Sequence, residues 1–123
     1  MKQLSATVLS FFLMASSAPK PPQLLAVFPA KESTQNSVEY IGAALNFRLG
    51  ENAGPTSVQL LVNEVDVTKQ SQIGGTRDWP PSKYVIRYTP NSLEPGTHHA
   101  ELRFQTTNGT KEFYRWSFSI KSP

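Results

Sequence analysis

From residue 83 to residue 121 the chain alternates apolar and polar positions in three successive runs. In 83–90, Tyr84, Ile86 and Tyr88 share one parity. In 93–105 it is Ala100, Leu102 and Phe104, and in 111–121 it is Tyr114, Trp116, Phe118 and Ile120. Successive side chains on a strand point to opposite faces, so each set forms one face of a β-strand and packs into a core. Pro90-Asn91-Ser92-Leu93-Glu94-Pro95-Gly96 and Thr107-Asn108-Gly109-Thr110 separate the runs, and both segments are rich in residues that favour turns.

The earlier chain reads the same way with weaker signals. Residues 23–28 predict a first strand stopped by Pro29, and the polar residues 31–37 a loop. Residues 38–49 predict a strand in which Leu45, Phe47 and Leu49 face one way. After a Gly/Pro turn at 50–55, residues 57–62 place Val58, Leu60 and Val62 on one face, and Asn63-Glu64 predicts a tight hairpin into Val65-Asp66-Val67. Residues 68–82 are the least regular. Gln70, Ser71 and Gln72 suit a short edge strand, while Gly74-Gly75 and Pro80-Pro81 exclude a central one. About seven short strands with regular turns and no sustained helical period predict an all-β fold, an antiparallel β-sandwich at 23–121.

Composition changes this picture at the N-terminus. Lys2, the apolar stretch 4–15 and Ser16-Ser17-Ala18 form a signal-peptide pattern over 1–18, ended by Pro19, Pro21 and Pro22. The apolar run falls short of the roughly 20 residues that span a bilayer. The expectation is therefore an exported protein (periplasmic, cell-surface or secreted), with 19–22 as a Pro-rich leader and no membrane span after cleavage. The alternative is an uncleaved anchor. The chain of 123 residues has no cysteine, which excludes disulfides, thiolate metal sites and cysteine nucleophiles. Twelve basic and nine acidic residues are interspersed, for a net charge of +3. With no polybasic run, a nucleic-acid partner is not expected.

Three stretches, taken together and in order, resemble the immunoglobulin-like domains of exported bacterial proteins. Val62-Asn63-Glu64-Val65-Asp66-Val67-Thr68 is similar to their "V-D-G-x-D-V-T" hairpin. Tyr88-Thr89-Pro90 with Leu93-Glu94-Pro95-Gly96-Thr97-His98 is similar to their "Y-T-P … L-x-P-G-x-H" corner, and Trp116-Ser117-Phe118-Ser119-Ile120 to their closing "W-S-F-x-V" strand. The chain departs from the pattern at Glu64, where the family has Gly. It departs again at Thr106-Thr107-Asn108-Gly109, which lacks an acidic residue before the turn. The resemblance implies that the β-sandwich at 23–121 is immunoglobulin-like, and that it is an extracytoplasmic module for adhesion, spacing or binding.

The candidate chemistry is sparse. His98 and His99 are neighbours on a strand and face opposite ways, so they do not converge on one metal. His98 has inward parity, which predicts a structural role with a ring nitrogen on backbone of the preceding corner. Trp116 and Tyr88 are expected in structural positions as well. Asn108-Gly109-Thr110 matches a glycosylation acceptor, but a hairpin turn explains the same residues. No nucleophile–base pair, phosphate loop or zinc spacing is present, so neither catalysis nor a cofactor is expected. Trp79, in a loop with no alternation to carry it inward, is the candidate ligand or partner contact, with Arg77 and Tyr84 beside it. The expected function is a non-catalytic exported binding or interaction module with a protein or glycan partner. The alternatives are an architectural spacer, or a carbohydrate-binding module that uses the Trp79 loop.

Overall fold

A computed structural model describes residues 19–49, 55–77 and 81–122; the signal-peptide reading of 1–18 lies outside them. The strands are β1 (Leu24–Phe28), β2 (Thr34–Gln35), β3 (Ile41–Leu45), β4 (Pro55–Val62), β5 (Val65–Asp66), β6 (Gln72–Gly75), β7 (Tyr84–Tyr88), β8 (Gly96–Thr106) and β9 (Lys111–Ile120). They form two sheets, ordered β1-β3-β7-β6 and β2-β9-β8-β4-β5. The fold is an immunoglobulin-like β-sandwich.

The three C-terminal runs fold as the alternation predicts. In β8, His98, Ala100, Leu102 and Phe104 are buried, and in β9 so are Trp116, Phe118 and Ile120. These two strands pair antiparallel from Gly96↔Ile120 to Gln105↔Lys111. They face Ile41, Ala43, Leu45 and Ile86 of the opposite sheet. Phe47 joins the two layers: its ring meets Phe104 at 5.3 Å and Tyr84 at 5.7 Å, both edge-on.

Three segments differ from the sequence expectation. Residues 31–37 contain β2, which runs parallel to β9, so the sandwich is not wholly antiparallel. The Ser119 amide donates to the Ser33 carbonyl at 2.9 Å, and the Lys121 amide to that of Gln35 at 2.9 Å. A two-residue polar strand at a sheet edge has no hydrophobic period to reveal it. The run 38–49 supplies only β3, because the Asn46 side chain caps the Arg48 amide at 3.0 Å and turns the chain. Phe47 still points inward, whereas Leu49 is 54% exposed. Thr68–Gln70 is a turn of 3₁₀ helix, and the edge strand lies just beyond it. Gly74 and Gly75 therefore sit in edge strand β6, where their weak strand propensity is tolerated.

The predicted hairpin at Asn63-Glu64 has a two-residue turn in which both residues are left-handed, with φ of 49° and 71°. That is the twist a short hairpin between right-twisted strands requires.

Candidate binding surface

Trp79, the candidate contact, lies with residues 78–80 outside the described residues; the flanks of its loop are described. Its base is closed by the Thr76 amide on the Lys83 carbonyl at 3.0 Å and by the Ser82 amide on Thr76 Oγ1 at 3.0 Å. Arg77 is exposed. Tyr84 is half-buried with its ring against Phe47, and burial raises its phenol pKa. The Tyr84 ring therefore belongs to the rim of the core and is not an open platform beside Arg77.

Trp116 is 2% exposed and stacks on Tyr114, and half-buried Tyr88 packs against the core. His98 lies against Phe118, with ring centroids 5.8 Å apart. Its Nε2 is 2.7 Å from the Glu94 carbonyl, which only accepts, so Nε2 carries the proton. The Asn63 Oδ1 takes the His99 amide at 3.0 Å, which leaves Asn63 Nδ2 to donate to His98 Nδ1, also at 3.0 Å. One imidazole thus ties the β4–β5 hairpin to the corner before β8, and both ring nitrogens are used in doing so. His99 points to solvent.

A different surface gathers more polar chemistry: the outer face of the five-stranded sheet. Register aligns Gln59, Arg103 and Phe113 in one row across β4, β8 and β9, and Ser57, Gln105 and Lys111 in the next. These side chains, with Glu101, line a groove of about 470 Å³. Phe113 is 55% exposed. β2 pairs with β9 only at Ser119 and Ile120, so among the described residues no strand lies beside Phe113 at the outer edge.

The polar residues of this face are held by one another. Glu101 meets Arg103 at 2.6 Å and Arg115 at 3.7 Å, and Arg115 also reaches Glu64 at 3.2 Å. Gln59 Nε2 donates to Asp66 at 3.1 Å. Asp66 in turn accepts from the Thr68 hydroxyl at 2.6 Å and the Thr68 amide at 2.9 Å, and these bonds lower its carboxyl pKa. Such support fixes side chains before any ligand arrives, which lowers the ordering cost of binding.

Sequence reading passed over Phe113. The signal was available: it is the one aromatic of 111–121 on the parity opposite Tyr114, Trp116 and Phe118. On a half-buried strand that parity faces water.

No protein-family model matches the chain, and no curated protein is similar to it. Solved structures share the fold. One is CopC from Methylosinus trichosporium OB3b, with a TM-score of 0.54 and 14% identity over 80% of this chain and 92% of that one. Another is PcoC, a methionine-rich copper resistance protein from Escherichia coli, with a TM-score of 0.49 and 20% identity over 83% of this chain and 100% of that one.

Proposed function

We propose that the chain is a non-catalytic, exported binding module that presents the outer face of its five-stranded sheet to a partner. The observation that carries this reading is the groove around Phe113, where an exposed aromatic ring stands among polar side chains fixed by their own ion pairs and hydrogen bonds. Exposed aromatic anchors with satisfied polar neighbours are the usual make-up of recognition sites. Export rests on the signal pattern of residues 1–18.

The Escherichia coli neighbour is named for copper resistance, but among the described residues this chain's donors do not gather into a copper site. Copper sites draw on imidazole, thioether and thiolate ligands. Both nitrogens of His98 are engaged within the fold, and the chain has no cysteine. Among the described residues no three His, Cys, Asp or Glu side chains converge. The binding reading stands on the sheet face.

A photo-crosslinking residue placed at position 113, at 25 on the opposite sheet, or at 77 in the loop tests this in the envelope of the native host. The reading expects adducts from 113 and none from 25. No adduct from any position would refute it in favour of a spacer, and adducts from 77 alone would move the site to the Trp79 loop.

A further inference from the structure

We infer that the groove around Phe113 binds a neutral polysaccharide of pyranose units. The inference rests on the reading of this face as a binding surface and supplies its ligand. A pyranose with equatorial hydroxyls has flat C–H faces and a rim of groups that both donate and accept hydrogen bonds. The groove offers the matching parts. Phe113, 55% exposed, presents an apolar ring to stack on a C–H face. Gln59, Arg103, Gln105 and Ser57 stand in the two rows beside it, with amide, guanidinium and hydroxyl groups directed along the same face.

Charge favours a neutral ligand. The lining holds Arg103 and Lys111 against Glu101 and Glu112, so its charges balance, and Arg103 is matched directly by Glu101 at 2.6 Å. A phosphate or carboxylate would have to compete with that pair, whereas a hydroxyl accepts or donates at its margin without breaking it. Size agrees as well, since about 470 Å³ lies within the roughly 300–1,000 Å³ common to ligand sites. A protein partner fits less well. Stable protein interfaces bury about 800 Å² on each side around an apolar centre, and this groove has one exposed aromatic ring, Phe113, among polar side chains, with Phe104 buried beneath.

The test is affinity electrophoresis of the chain purified from its host, in native gels that contain either hydroxyethyl cellulose or glycol chitin, both uncharged. The expected result is retardation by at least one polymer, and which polymer retards the chain identifies the source of the sugar. Phe113→Ala should weaken retardation at least tenfold. Gln59→Leu should weaken it too, which guards against loss of fold in the first variant. Ile73→Ala, 55% exposed on the opposite sheet, should leave it unchanged. Unaltered retardation in the Phe113 and Gln59 variants would overturn the site, and no retardation by either polymer would overturn the ligand. Protein adducts from position 113 in the envelope, with no retardation, would reject the polysaccharide yet leave the binding-module reading standing.

Discussion

Asn63 is the residue whose loss reports most on how this sandwich is tied together. It combines a strained backbone, at φ 49°, with two side-chain bonds, one to the His99 amide and one to the buried His98 ring. Asn63→Ala removes both bonds and leaves His98 Nδ1 without its donor. Each net hydrogen bond contributes about 0.5–1.5 kcal/mol, and a buried orphan group costs about 1–3 kcal/mol. Alanine also tolerates the left-handed region poorly, at about 1–2 kcal/mol. Together these give a loss of about 3–8 kcal/mol, a large share of the roughly 5–15 kcal/mol available to a domain. Asn63→Gly loses the same bonds but relieves the strain, at an entropic cost of about 0.5–1 kcal/mol. It should therefore be more stable than Asn63→Ala by roughly 0.5–1 kcal/mol. Urea unfolding followed by circular dichroism measures both, and His98→Ala combined with Asn63→Ala should be less damaging than the sum of the two. Additive losses, or an Asn63→Ala loss below about 0.5 kcal/mol, would refute the idea that the imidazole joins the hairpin to the corner.

Other substitutions probe other parts of the fold. Trp116→Ala should cost about 3–5 kcal/mol by transfer and cavity terms. Trp116→Phe should cost far less, because the buried indole N–H has no hydrogen-bond partner to lose; equal losses in urea titrations would contradict this. Gly42→Ala should destabilise by about 3 kcal/mol or more, since an added Cβ would overlap the Ile86 backbone carbonyl and force β3 from β7, and a near-native thermal midpoint would speak against the register. Asp66 has a lowered folded pKa, so its contribution is present above the unfolded value near 3.8 and lost as pH falls through the folded one. Thr68→Val should flatten that acid limb of the stability profile. Tyr84 has a raised folded pKa, so stability should decline as pH rises from about 10 towards that folded value, and Tyr84→Phe should remove the decline.

Alternation made the C-terminal sheet readable because β8 and β9 are long and half-buried: each inward residue repeats at every second position. Asn63-Glu64 was readable from turn chemistry alone. β2 was not, since main-chain bonds at an edge leave no trace in side-chain pattern. The run 38–49 misled because Leu45 and Phe47 keep one parity across a turn made by Asn46, and Leu49 then leaves the core. The inward site of His98 followed from parity, but its bond to Asn63 joins residues 35 positions apart and needed the fold. The candidate groove is legible only once register is known, because Gln59, Arg103 and Phe113 come from three strands. Phe113 lies on the solvent parity of a well-predicted strand, a weaker signal in the sequence than a tryptophan in a stretch without alternation.

The central claim is that Phe113 lies at an occupied surface in the protein's working environment. Hydroxyl-radical footprinting tests it directly, with the chain in its native envelope compared with the purified chain. Phe113 and Ile73 are both 55% exposed, on opposite sheets, and Leu25 is 46% exposed on the same sheet as Ile73. Oxidation of Phe113 should fall several-fold in the envelope while that of Ile73 and Leu25 stays as in the purified chain. Undiminished oxidation of Phe113 alongside protection of Ile73 or Leu25, or protection of none of the three, would contradict the account.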